Sequence, residues 1–132
     1  MSWPEFIKEI NMLGNNVTNK PDIIVGIVRG GLVPARILAS NLGVKEVYCL
    51  TVQKTDKSRN LTTQITADIR GKKVLIVEDA LETGKSLEVV KKYVESLGAE
   101  VQTLAMYVWP KSVIVPDYYL KITDNIPIFP WE

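Results

Sequence analysis

The chain has 132 residues, 46% of them hydrophobic and 23% charged, which is the length of one domain and an ordinary globular composition; disorder, collagen-like repeats and a disulfide scaffold are excluded. Lysine and arginine number 16 and aspartate and glutamate 15, a net charge of +1 that gives no general attraction to nucleic acid or an anionic membrane. With no histidine and one cysteine, Cys49, the chain cannot use His-based acid–base chemistry, a His-ligated metal, an internal disulfide or a multi-cysteine metal site.

Ser2 followed by Glu5 is a capping-box pattern, and Pro4 fits a first helical turn. Phe6, Ile7, Ile10 and Leu13 recur at helical spacing, with Gly14 as the stop. Asn15 to Asp22 reads as a polar loop. Ile23 to Val28 is β-branched without polar alternation, the pattern of a strand buried on both faces. Arg29-Gly30-Gly31 breaks it. A helix starts near Pro34, with Ala35, Leu38, Ala39 and Leu42 on its apolar face and Gly43 ending it. Val47 to Val52 is a second strand. Gln53 to Thr63 is polar and long for a connection, which predicts a mobile functional loop, and Gln64 to Ile69 a weak strand beyond it.

Val74 to Val77 is another apolar strand, Lys85 to Leu97 a helix closed by Gly98, and Val101 to Val108 a further strand. Pro116 to Glu132 carries three prolines and predicts edge strands or extended chain. No cationic segment followed by an apolar run opens the chain, and no run of about 18 apolar residues occurs. A cytoplasmic protein with no membrane or nucleic-acid partner is therefore expected. The recurring strand–loop–helix units predict one α/β domain over residues 1–132. Its sheet should be mainly parallel and flanked by helices on both faces. Ligands of such sheets bind at the carboxyl ends of the strands.

Two of those ends carry chemistry. After Val77 come Glu78 and Asp79, then Glu82, then Thr83-Gly84-Lys85-Ser86 opening a helix. Gly84 lets backbone approach a ligand. The helix-start amides, with the Thr83 and Ser86 hydroxyls, form a phosphate cradle. Acids beside such a cradle suit a sugar phosphate, because they accept from vicinal hydroxyls while the amides hold the phosphate. Asp79 stands where an ATPase P-loop needs its first glycine, so that reading is rejected.

From Val74 to Ser86 the chain resembles the type I phosphoribosyltransferase family, whose fingerprint is an apolar strand, two acids, two variable residues, an acid or small residue and Thr-Gly-x-Thr/Ser. Ile24 to Pro34, IVGIVRGGLVP, resembles the family's pyrophosphate loop. The ending Asp117 to Glu132, D-Y-Y…T-D…F-P-W-E, is similar to that of small microbial and archaeal 6-oxopurine enzymes.

The resemblance implies a Rossmann-like type I phosphoribosyltransferase fold with a small C-terminal hood. It implies transfer of the 5-phosphoribosyl group of 5-phosphoribosyl 1-pyrophosphate (PRPP) to a purine base of the 6-oxopurine class. The products would be a nucleoside monophosphate and pyrophosphate, and the role purine salvage by a homodimer with Mg²⁺. Glu78 and Asp79 would hold the ribose hydroxyls, directly or through Mg²⁺. Thr83, Gly84, Lys85, Ser86 and Leu87 would bind the 5′-phosphate, and Arg29 and Gly30 the pyrophosphate. Glu82, where relatives usually carry aspartate, would be catalytic and handle the proton on the attacking nitrogen of the base. Trp109-Pro110 stands where relatives have Lys-Pro, so Lys111 is the substitute for that lysine and Trp109 a stacking face for the base. Ile126 takes the place of a stacking aromatic, and Phe129 and Trp131 would anchor the tail. The alternative is a non-catalytic PRPP- or nucleotide-sensing regulator of the same fold.

Overall fold

In the computed structural model, which describes residues 1–132, Ser2 accepts the Glu5 amide at 3.2 Å and starts helix α1 (Trp3–Asn16) with Pro4 in its first turn. The helix runs past Gly14, which is a packing site rather than a stop. A Cβ at Gly14 would strike Asn41 and Leu38 of the neighbouring helix. Strand β1 (Ile23–Val28) is buried from Ile23 to Ile27. Helix α2 (Leu32–Leu42) takes Pro34 into its first turn and ends at Gly43, whose φ of 68° is left-handed and readily adopted only without a Cβ.

The stretch Gln53 to Thr63 differs from the expected irregular loop. Strand β2 (Glu46–Lys54) continues through it, turns at Thr55–Ser58 and returns as the antiparallel strand β3 (Arg59–Leu61). The turn is closed by the Thr55 amide donating to the Ser58 carbonyl at 3.0 Å and by a 2.6 Å contact between their hydroxyls. Short polar side chains that hydrogen-bond locally make such a turn without any apolar signal. The weak strand expected over Gln64 to Ile69 is also absent. That segment is extended chain pinned by the buried side chains of Ile65 and Ile69, and the Ile65 amide donates to the Tyr93 hydroxyl at 2.9 Å.

Strand β4 (Lys73–Leu81) runs four residues beyond the apolar stretch Val74–Val77, so both acids lie within it. Helix α3 (Lys85–Ser96), strand β5 (Glu100–Val108) and the two-residue strand β6 (Lys121–Ile122) complete the chain. The six-stranded sheet has the order β3-β2-β1-β4-β5-β6, parallel except for the β2–β3 hairpin. Ile24 pairs with Val47 on one side and with Leu75 on the other. The chain leaves β1 in one direction to form β2 and crosses back to form β4. β1 and β4 therefore flank the point where strand order reverses, and a crevice opens outside their carboxyl ends.

Helices α1 and α2 cover one face over Phe6, Ile10, Leu13, Leu38, Leu75 and Leu104. α3 covers the other over Ile23, Ile76, Leu87, Val90 and Val94. Each such fully buried side chain contributes roughly 1.5–3 kcal/mol. The tail closes the first face. Phe129 stacks on Trp131 with centroids 4.9 Å apart and planes 5° apart, and Phe6 of α1 meets Trp131 edge-on at 4.8 Å. The Met1 ammonium donates to the Ile128 carbonyl at 2.9 Å, and the Tyr107 hydroxyl lies 2.8 Å from both Glu9 carboxylate oxygens.

Candidate active site

The loop after β1 is shaped by what its glycines lack. Gly31 is wedged against the Val77 carbonyl and the Ile27 backbone, so that a Cβ has no room there. Its amide donates to the Ile27 carbonyl at 2.8 Å, and the Leu32 amide donates to the Arg29 carbonyl at 3.1 Å. The Val28–Arg29 peptide is cis. The turn leaves Arg29 exposed at the rim and sets Gly30 against the Asp79 carboxylate, where a Cβ would overlap it.

On β4 the two acids have different neighbours. Glu78 is near Lys54 of β2. Burial pushes its carboxyl up to about 8, the neighbouring Asp79 carboxylate adds to the rise, and the Lys54 ammonium opposes it. Asp79 is also raised, first by burial and further by the Glu132 carboxylate. The Ala80 amide, donating to Oδ1 at 2.7 Å, and the Trp131 indole act in the other direction. A ligand that brings positive charge or hydroxyl donors between these acids would relieve the cost of burying them.

The cradle is built on Gly84, which sits at φ 77° before the first residue of α3. A Cβ at Gly84 would meet Ser112 and Ile114, so the segment after β5 packs directly behind the loop. The Val113 amide donates to the Thr83 carbonyl at 2.8 Å and fixes the two together. The Ser86 hydroxyl is buried and has no hydrogen-bond partner within the protein. A buried hydroxyl in that condition costs about 1–3 kcal/mol unless a ligand satisfies it. The first-turn amides of α3 point the same way, as helix starts do, and favour an anion.

These parts share one cleft of about 1030 Å³. It is lined by Arg29 and Gly30, by Glu78, Asp79 and Glu82, and by Thr83, Gly84 and Ser86. Ile126 lines it as well, with the rest of the tail from Pro127 to Phe129. Lys85, Leu87, Trp109 and Lys111 of the sequence expectation lie outside the lining: Lys85 is exposed, and Trp109 and Lys111 sit on the turn after β5. Leu87 is fully buried under α3, which leaves only its backbone for a ligand. The structure adds to the lining residues to which the sequence reading gave no ligand role of their own: Lys54 and Arg59 from the Gln53–Thr63 stretch, and Trp131 and Glu132 from the F-P-W-E ending. Arg59 gives a physical signal, since its Nε is buried without a partner while Nη1 donates to the Thr55 and Ser58 carbonyls. A smaller pocket of about 250 Å³ lies at the opposite end of the sheet, between the starts of β4 and β5.

A parallel sheet with a phosphate cradle, paired acids and an Arg-Gly-Gly turn around one crevice defines a nucleotide- or sugar-phosphate-handling α/β domain. The phosphoribosyl transferase domain matches residues 3–132, and the chain belongs to that family. It is similar over its whole length to the crystal structure of a purine phosphoribosyltransferase from Pyrococcus horikoshii OT3, with a TM-score of 0.92, 36% identity and 91% of that chain covered. It is 27% identical over 116 residues to xanthine-guanine phosphoribosyltransferase of Idiomarina loihiensis, covering 83% of this chain and 70% of that one. It is 35% identical over 88 residues, 66% of this chain, to orotate phosphoribosyltransferase of Saccharolobus solfataricus, and the match spans 44% of that protein. The expected type I phosphoribosyltransferase fold is therefore the one observed.

Proposed function

We propose that the protein transfers the 5-phosphoribosyl group of PRPP to a purine base, releasing pyrophosphate and a nucleoside monophosphate. The observation that carries this reading is the convergence in one cleft of the Arg29-Gly30 turn, the Glu78–Asp79 pair and the Thr83–Ser86 cradle. Each piece matches one part of the donor. The cradle, with its unpartnered Ser86 hydroxyl, takes the 5′-phosphate. Asp79 and Glu78 accept from the ribose hydroxyls. Arg29 and Gly30 meet the pyrophosphate, with Lys54 and Arg59 opposite.

Mg²⁺ fits this donor set. The adjacent, buried carboxyls of Glu78 and Asp79, both raised first by burial, favour a cation beside them. Glu78 and Asp79 are the residues proposed to hold it, and when bound it offsets the charge of the leaving pyrophosphate. Glu82, exposed on the cleft wall, takes the proton from the base as the glycosidic bond forms. The tail side of the cleft, with Ile126, receives the base. The 6-oxopurine class is favoured by the likeness to the purine and xanthine-guanine enzymes. Cytoplasmic purine salvage by a homodimer completes the proposal.

The experiment is incubation with Mg²⁺, PRPP and, in turn, hypoxanthine, guanine, xanthine and adenine, followed by detection of the nucleotide. Formation from at least one 6-oxopurine is expected. Tight PRPP binding without turnover of any base would overturn the enzyme reading and leave a PRPP-sensing protein.

A further inference from the structure

The segment that follows β5 is held in place largely by hydrogen bonds. Trp109, Val113 and Val115 are exposed, and Ile114 packs at the margin of the core on the α3 face. The two ends of the segment are tied to the connection between β4 and α3. The Trp109 amide donates to the Leu81 carbonyl and the Val113 amide to the Thr83 carbonyl, each at 2.8 Å. Between these ties the Ser112 amide donates to the Trp109 carbonyl at 3.1 Å, closing a β-turn with Pro110 at its second position, where the fixed φ of proline fits. The Ser112 hydroxyl donates to the Ile114 carbonyl at 2.7 Å, and the Ile114 amide lies 3.4 Å from the same oxygen. That hydroxyl also stands where a Cβ of Gly84 would be. The turn and the cradle thus touch at Ser112 and Gly84, and are bonded at Val113 and Thr83.

We infer that Ser112 is a positioning residue for the phosphate cradle: its hydroxyl locks the turn against Gly84, and the Val113 amide, aimed by that lock, holds Thr83 in register with the first turn of α3. This rests on the proposed reading of Thr83–Ser86 as the 5′-phosphate site. Gly84, at φ 77°, has no side chain to restrain it, so the residue that lets backbone approach a phosphate needs a brace from outside the loop. Serine suits that place. It is small enough to lie flush against the glycine, and its hydroxyl satisfies a carbonyl two residues on. Without the hydroxyl the Ile114 carbonyl loses its donor, the turn loosens, and Thr83 samples positions from which the amides and hydroxyls of the cradle no longer converge. A phosphate would then bind to a fraction of the molecules, and its apparent affinity would fall by that fraction.

Ser112→Ala removes the hydroxyl and keeps the backbone of the turn. Two probes separate the cradle from the rest of the cleft: ribose 5-phosphate, which occupies the cradle, and pyrophosphate with Mg²⁺, which does not. In calorimetric titrations the dissociation constant for ribose 5-phosphate should rise about threefold to tenfold, the range for one lost hydrogen bond. That for pyrophosphate should stay within about twofold. KM for PRPP should rise by the same factor as the ribose 5-phosphate constant, with kcat little changed. A merely structural role would lower the melting temperature and leave both affinities of the folded molecules intact, or weaken both alike, and either result overturns the inference. A second measurement needs no variant. Coupling between two places is reciprocal, so saturating the unsubstituted protein with ribose 5-phosphate should slow hydrogen exchange at the Val113 amide at least about threefold. Unchanged exchange there, with the first-turn amides of α3 slowed, overturns the inference even if Ser112→Ala fails to fold. Failure of the unsubstituted protein to bind either ribose 5-phosphate or PRPP would instead overturn the proposed function, and the positioning role with it.

Discussion

Glu78 and Asp79 are adjacent in sequence yet sit in different electrostatic surroundings, and that difference can be titrated. In the metal-free protein Glu78 keeps its proton up to about 8 because burial penalises the charged form, whereas the free carboxyl releases it near 4.5. Below 4.5 both states are protonated and there is no penalty. Between the two values the unfolded chain has lost the proton and the folded chain has not, so stability falls as pH rises; above about 8 the penalty is constant. Glu78→Gln removes this dependence. The melting temperature of the variant relative to the parent should therefore climb from pH 5 to pH 8, and a flat difference would mean that Glu78 ionises normally.

At the cradle, Thr83→Ala with Ser86→Ala removes two hydroxyls and leaves strand and helix in place. PRPP affinity should fall at least about tenfold, since each hydrogen bond to a charged group is worth about 1.5–3 kcal/mol. Unchanged binding in an isothermal titration would move the phosphate elsewhere. Glu82→Gln keeps the shape of the side chain but cannot accept a proton. Turnover should drop about 10²–10⁴-fold, with PRPP affinity changed less than about fivefold. A parental rate on a base the parent uses would reduce Glu82 to a helix-start acid.

Among the elements, those with a continuous apolar signature were the legible ones. Ile23–Val28 matches β1 residue for residue, and Gly43 and Gly98 mark where helices end. What escaped has no apolar signature. β2 runs on through Gln53 and Lys54 because backbone pairing with Asn60 and Arg59 suffices for a short exposed hairpin. Lys54 and Arg59 reach the cleft only through that pairing, a tertiary fact invisible to spacing. The opposite error occurred at Gln64–Ile69, where the apolar residues Ile65 and Ile69 are plugs in the core rather than one face of a strand. Ile69→Ala should therefore cost as much as a change in a regular core element, about 2–5 kcal/mol by denaturant unfolding. Were the segment a loosely held loop, the cost would be near zero.

At the scale of the whole molecule, the alternation of strands and helices made a mainly parallel sheet with helices on both faces legible, while the strand order, which puts the cleft where it reverses, came from the structure. The tail was harder to read. Phe129 and Trp131 do anchor it, as their apolar character suggests, but the same packing brings Trp131 and Glu132 into the cleft. Trp109 and Lys111 are on the turn after β5, outside the residues that line the cleft. Removing residues 126–132 should strip protection from the α1 amides in hydrogen exchange while leaving those of β1 and β4 slow, because Phe6 of α1 packs directly on Trp131 whereas β1 and β4 are paired on both sides in the middle of the sheet. Uniform loss of protection would show instead that the domain opens as one unit.

That pairing of distant chain segments has a bearing on the order of events during synthesis. α1 is synthesised before β5 and the tail, yet Phe6 packs on Trp131 and Glu9 accepts from the Tyr107 hydroxyl. A helix of 14 residues is marginal in water without a packed face. α2 can give the helix its first packing partner, through Gly14 against Asn41 and Leu38, before β5 and the tail complete its seat. The cleft, one wall of which is the tail, is thereby complete only after that later-made segment has docked.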